Sequence, residues 1–72
     1  MRTVHGVPYW QVLRKLDILN HARCRYEQAA SEEERQQADV LFAECYDWLM
    51  ERDVPIYYDE EPKLWLLRLF PT

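Results

Sequence analysis

Seventy-two residues, half of them apolar and ten aromatic, with a net charge of −4, set the scale: one small domain spanning 1–72, with a real but limited core. A single glycine and so many aromatics argue against a disordered chain, and no run reaches the roughly 18–20 apolar residues of a membrane span. A core of this size rarely supplies more than roughly 3–5 kcal/mol by itself, so a second subunit, a metal or a disulfide is the usual supplement.

The charge is unevenly spread. Residues 1–30 carry Arg2, Arg14, Lys15, Arg23 and Arg25 against Asp17 and Glu27, a net +3, and residues 31–72 carry a net −7. The two halves are expected to attract, within one chain or between chains. The N-terminal MRTVHGVPYW is short and mixed and does not read as a secretory signal. A reducing, cytoplasmic setting is the resulting expectation, with Cys24 and Cys45 as free thiols.

Residues 1–7 read as extended or frayed, with His5-Gly6 as a turn before a helix. Pro8 suits a first helical position, where its missing N–H costs nothing. From there Tyr9, Val12, Leu13, Leu16, Leu19, Ala22 and Tyr26 recur at helical spacing, which predicts a first helix over 8–29. Trp10, Ile18 and Cys24 widen its apolar arc, so it should touch more than one neighbour.

Ser31-Glu32-Glu33-Glu34 has the form of a capping box, the serine side chain taking the Glu34 amide and Glu34 reaching back to the serine N–H. Three carboxylates in a first turn also suit the positive end of a helix. A second helix is therefore predicted over 32–52, antiparallel to the first. A continuous rod through Ala29 and Ala30 is the alternative. Ala38, Leu41, Phe42, Cys45, Trp48 and Leu49 form its main apolar stripe. Val40, Ala43, Tyr46 and Met50 form a second strip, available to the tail or to another subunit. The helix should stop where Val54 precedes Pro55.

The aromatic tail, 54–70, differs in kind. Ile56, Tyr57 and Tyr58 favour strand, Asp59 to Pro62 reads as a turn, and 64–70 is a dense apolar run. A hairpin of 55–58 with 64–69 is preferred over a third short helix at 60–70, which would make the chain all-α. The predicted class is α+β and mainly helical: a two-helix antiparallel hairpin followed by a C-terminal β-hairpin.

Chemistry-bearing groups are sparse. His21 and Cys24 stand at i, i+3, with Cys45 and His5 as isolated further ligands, whereas a structural zinc site shows two tight pairs. No metal and no cofactor is expected. No phosphate-loop, dinucleotide, zinc-protease or serine-hydrolase motif occurs, and no catalytic residue is assigned. Glu44, Asp47 and Glu51 share one helical face, read as solvated or as a partner for Arg14, Lys15 and Arg25. The acidic balance weighs against nucleic-acid binding by the first helix, because such binders carry a basic excess.

The strongest functional signal is aromatic surplus. Trp10, Trp48, Trp65, Tyr57, Tyr58 and Phe70 exceed what so small a core hides, and exposed aromatics mark protein contacts. The expected function is a non-enzymatic protein–protein interaction or regulatory role, as a homodimer. Trp65, Phe70, Tyr57, Tyr58 and Met50 are the expected contact residues. The runner-up is an inhibitor or adaptor whose acidic face, Glu44, Asp47 and Glu51, occupies a basic site on a nucleic-acid enzyme.

Overall fold

The first helix starts from a structure the N-terminal residues make for themselves. In the computed structural model, which describes residues 2–68, strands β1 (Thr3–Val4) and β2 (Val7–Pro8) pair antiparallel around His5-Gly6. Both turn residues have positive φ, 51° and 83°, the signature of the primed turn that matches strand twist. The segment read as extended or frayed is thus extended, a small hairpin folded about the expected His5-Gly6 turn. The residue before its first strand caps the helix, because the Tyr9 N–H donates to the Arg2 carbonyl at 2.9 Å. Pro8 lies one residue outside the helix rather than in its first position: paired with Thr3, it holds an extended ψ of 135°.

Helix α1 runs Tyr9–Gln28 and α2 runs Glu32–Glu51, so the chain breaks as the hairpin reading required and is not a rod. No glycine makes the break. Ala29 and Ser31 turn extended, with ψ of 133° and 163°. The Glu34 N–H donates to Ser31 Oγ at 3.2 Å. The reciprocal half differs by one residue from expectation: Glu34 Oε2 accepts from the Ala30 N–H, not from that of Ser31.

The other end of α2 closes by backbone geometry more than by proline. Asp53 takes φ 55°, its N–H donates to the Met50 carbonyl and the Val54 N–H donates to the Leu49 carbonyl. This is a Schellman closure, with Val54 and Leu49 both buried as its apolar contact. Pro55 then keeps the chain extended into β3 (Ile56–Asp59), which pairs antiparallel with β4 (Leu64–Leu67). The short third helix is excluded, and the fold is the expected helical hairpin plus β-hairpin. The expected end of the second strand, residue 69, lies outside the described residues.

The core sits between the two helices and under this second hairpin. Val12, Leu16 and Leu19 of α1, Cys45 and Leu49 of α2, and Val54 are buried together. Val4 and Val7 cover one end, while Ile56, Trp65 and Leu67 cover one side. The second apolar strip of α2 divides. Tyr46 packs on the tail, whereas Val40, Ala43 and Met50 stay exposed.

Candidate functional site

The C-terminal hairpin has two faces, and its register assigns every side chain to one of them. Ile56 opposes Leu67 and Tyr58 opposes Trp65, and these four face the helices. Tyr57 opposes Leu66 and Asp59 opposes Leu64, and these four face away. Successive strand residues alternate sides, so an unbroken apolar run such as Leu64–Leu67 makes both faces apolar. Among the described residues, only one face has a partner. Leu64 is 39% exposed on the other, and the Arg68 guanidinium lies over the Tyr57 ring at 5.3 Å.

The inner face is fixed by aromatics and by one helix side chain. Trp65 meets Phe42 and Tyr46 edge-on at centroid distances of 6.3 and 5.9 Å, and Tyr58 at 5.5 Å. Asn20 of α1 donates Nδ2–H to the Trp65 carbonyl at 2.9 Å and accepts the Trp65 N–H on Oδ1 at 2.7 Å. Asn20 thereby takes the place of a neighbouring strand along the outer edge of β4. Arg23, one turn on, donates to the Lys63 carbonyl at 2.7 Å and lies over the Tyr58 ring.

The two edges of the hairpin therefore differ. In an antiparallel pair, residues alternate between exchanging main-chain bonds with the partner and pointing them outward. Trp65 points outward to Asn20, so its cross-strand partner Tyr58 points outward too, and so does Ile56. The Arg68 N–H donating to the Pro55 carbonyl fits the same alternation. Among the described residues, β4 is the one strand beside β3. Pro55 leaves the outer edge unblunted, because its missing N–H belongs to the inner ladder. No Lys or Pro interrupts Ile56–Asp59, although such residues commonly protect edge strands.

The expected contact residues thus fall in different places. Tyr57 stands on the outward face. Tyr58 is on the inner face of the edge strand, still 37% exposed. Met50 is exposed one turn beyond Tyr46 on α2. Trp65 is half-buried and serves the core. Phe70 lies outside the described residues. Sequence reasoning missed Asn20, Leu64, Leu66 and Arg68. Alternation along 64–67 would have found the leucines once the strand was fixed; nothing local singles out Asn20.

Charges are arranged locally. The ion pairs among the described residues are Arg23–Glu27, Arg35–Glu32 and Arg52–Glu51, each within one helix or at its end. None joins the basic first half to the acidic second half, so within the chain the expected attraction takes no ion-paired form among these residues. Helix-wheel neighbours pair more cheaply than side chains that must reach across a hairpin. Lys15 and Arg52 instead flank the Trp48 ring, at 5.3 and 4.1 Å. Glu44, Asp47 and Glu51 lie exposed on the solvent face of α2. Glu44 also borders an open groove of about 660 Å³, lined besides by Arg25, Glu33, Glu34, Gln37 and Leu41.

The cysteines are both free and sit in opposite settings, Cys24 exposed and Cys45 buried. Burial pushes the Cys45 thiol up, with the Lys15 ammonium opposing and Glu44 adding to the rise. A thiol held protonated is a poor nucleophile. Among the described residues, no three His, Cys, Asp or Glu side chains converge in a way that could hold a metal ion, and no helix is long and apolar enough to cross a membrane. No protein family, curated protein or solved structure matches the chain.

Proposed function

We propose that this chain is a small non-enzymatic protein–protein interaction protein, accessory or regulatory in kind, that acts as a cytoplasmic homodimer through its C-terminal hairpin. One observation carries the reading: the hairpin is apolar on both faces while, among the described residues, only one face and one edge are covered. A two-stranded hairpin is weak alone and gains stability from added strands or packing. Asn20 and the Trp65 cluster hold its shape firmly, so the open edge is offered preformed, with little ordering left for a partner to impose.

Sedimentation equilibrium of the wild-type chain over a micromolar concentration series tests this directly. The expected result is a reversible monomer–dimer equilibrium. A single monomeric species throughout the series contradicts it.

The acidic face supports a second reading. Glu44 and Asp47 make no ion pair among the described residues, so their charge is available to a basic site on another protein. Reversing Glu44, Asp47 and Glu51 to lysine separates the readings. An intact dimer that no longer binds a basic target protein favours the acidic inhibitor. A chain that dimerises and binds unchanged removes the acidic face from the account.

A further inference from the structure

We infer that two copies join edge to edge through β3, antiparallel, with Tyr57 on the two-fold axis, giving a four-stranded sheet in the order β4-β3-β3-β4. The inference deepens the homodimer reading and rests on it. The argument begins with the main chain. On the open edge, Ile56 and Tyr58 each direct one N–H and one C=O outward, set symmetrically about Tyr57. A second copy turned by 180° about Tyr57 places its Tyr58 opposite Ile56 and its Ile56 opposite Tyr58. Every one of these donors and acceptors is then matched by its own counterpart.

Neighbouring registers match less. With the axis at Ile56, Tyr58 faces the partner's Val54, whose N–H is already given to the Leu49 carbonyl at 3.0 Å. With the axis at Tyr58, Ile56 faces Glu60, which lies beyond the end of the strand. The edge is therefore self-complementary in one register. A closed two-fold contact of this kind uses the same patch twice and leaves no further β3 edge to extend.

Side chains favour the same arrangement. Tyr57 meets its own copy in a non-hydrogen-bonded pair, where cross-strand side chains are closest. Arg68 shares a cross-strand row with Pro55, and in this register that row continues to the partner's Asp59. Two strand spacings, about 9.5 Å, separate the backbones of Arg68 and that aspartate, a span the two side chains can bridge. The Arg68 guanidinium already leans over Tyr57, toward the axis. Asp59 keeps one carboxylate oxygen for it, since Oδ1 accepts the Glu61 N–H. The axis repeats the Arg68–Asp59 pair twice, which supplies charge complementarity for a second copy in particular.

Charge placed at Tyr57 tests the register, because that residue meets only itself. Tyr57→Lys and Tyr57→Glu are each expected to weaken the dimer about tenfold or more through like charges at the axis. An equimolar mixture of the two should recover a heterodimer by sedimentation. Independently, Tyr57→Cys in a Cys24→Ser background should oxidise readily to a covalent dimer, because the expected backbone separation at the axis suits a disulfide. Leu64→Cys in the same background should not, and this cysteine test holds even if a charged variant fails to fold. If wild type dimerises but the Tyr57 cysteine links no faster than the Leu64 cysteine and the mixture recovers nothing, the register is overturned while the homodimer reading stands. A monomeric wild type overturns both.

Discussion

Asn20 contributes more than its size suggests. One amide side chain satisfies both main-chain groups of Trp65, groups that would otherwise be left against helix α1 without a partner. Asn20→Leu should therefore destabilise the fold by about 2–3 kcal/mol, the cost of two part-buried polar groups left unpaired. The urea unfolding midpoint reads this out. Unchanged stability would mean that water replaces the amide fully. This role was not legible in the sequence, because it depends on residues 45 positions apart. Cys45 was legible as core, since it falls on the apolar stripe. Its raised thiol pKa has a definite sign. The folded state disfavours the thiolate, so the contribution is fully present below the ordinary thiol value of about 8.5 and is lost as pH rises past it. Wild type should lose stability more steeply than Cys45→Ala above that pH. In the folded chain, a thiol reagent at neutral pH should modify Cys24 alone, with Cys45 reacting only in denaturant.

Elements were legible where their signals were local. Ser31 and the carboxylates after it marked the break between helices, and the structure breaks there. Ser31→Ala should cost about 1 kcal/mol, measurable as a lower thermal midpoint, whereas Ser31→Asp should retain most of the stability. The short strands were harder. The pairing of β1 with β2 depends on His5 accepting a left-handed φ, which no apolar pattern announces. The run at 64–67 was ambiguous because both of its faces are apolar, so periodicity could not separate strand from helix. The same ambiguity is the physical signal of an element with two surfaces to cover. The Schellman closure at Asp53 was hidden for a related reason: its left-handed residue is not the glycine that usually marks such a stop.

Helical hairpin and β-hairpin share one core, and no ion pair among the described residues joins the basic half to the acidic half. Composition suggested more apolar surface than one small core could hide. The structure divides that surplus: Trp10, Leu13, Tyr26, Val40 and Met50 are exposed on the helices, and Tyr58 and Leu64 on the hairpin, beside the half-buried Tyr57 and Leu66. The central claim, that a second copy adds to the β3 edge, is tested most directly on the unmodified chain by amide hydrogen exchange at low and high protein concentration. The Tyr57 N–H belongs to the inner ladder with β4 and serves as the internal reference. The account predicts that the Ile56 and Tyr58 N–H groups exchange freely when dilute and become protected as concentration rises, while Tyr57 is protected already when dilute. Ile56 and Tyr58 amides that exchange as fast at high concentration as at low would contradict it.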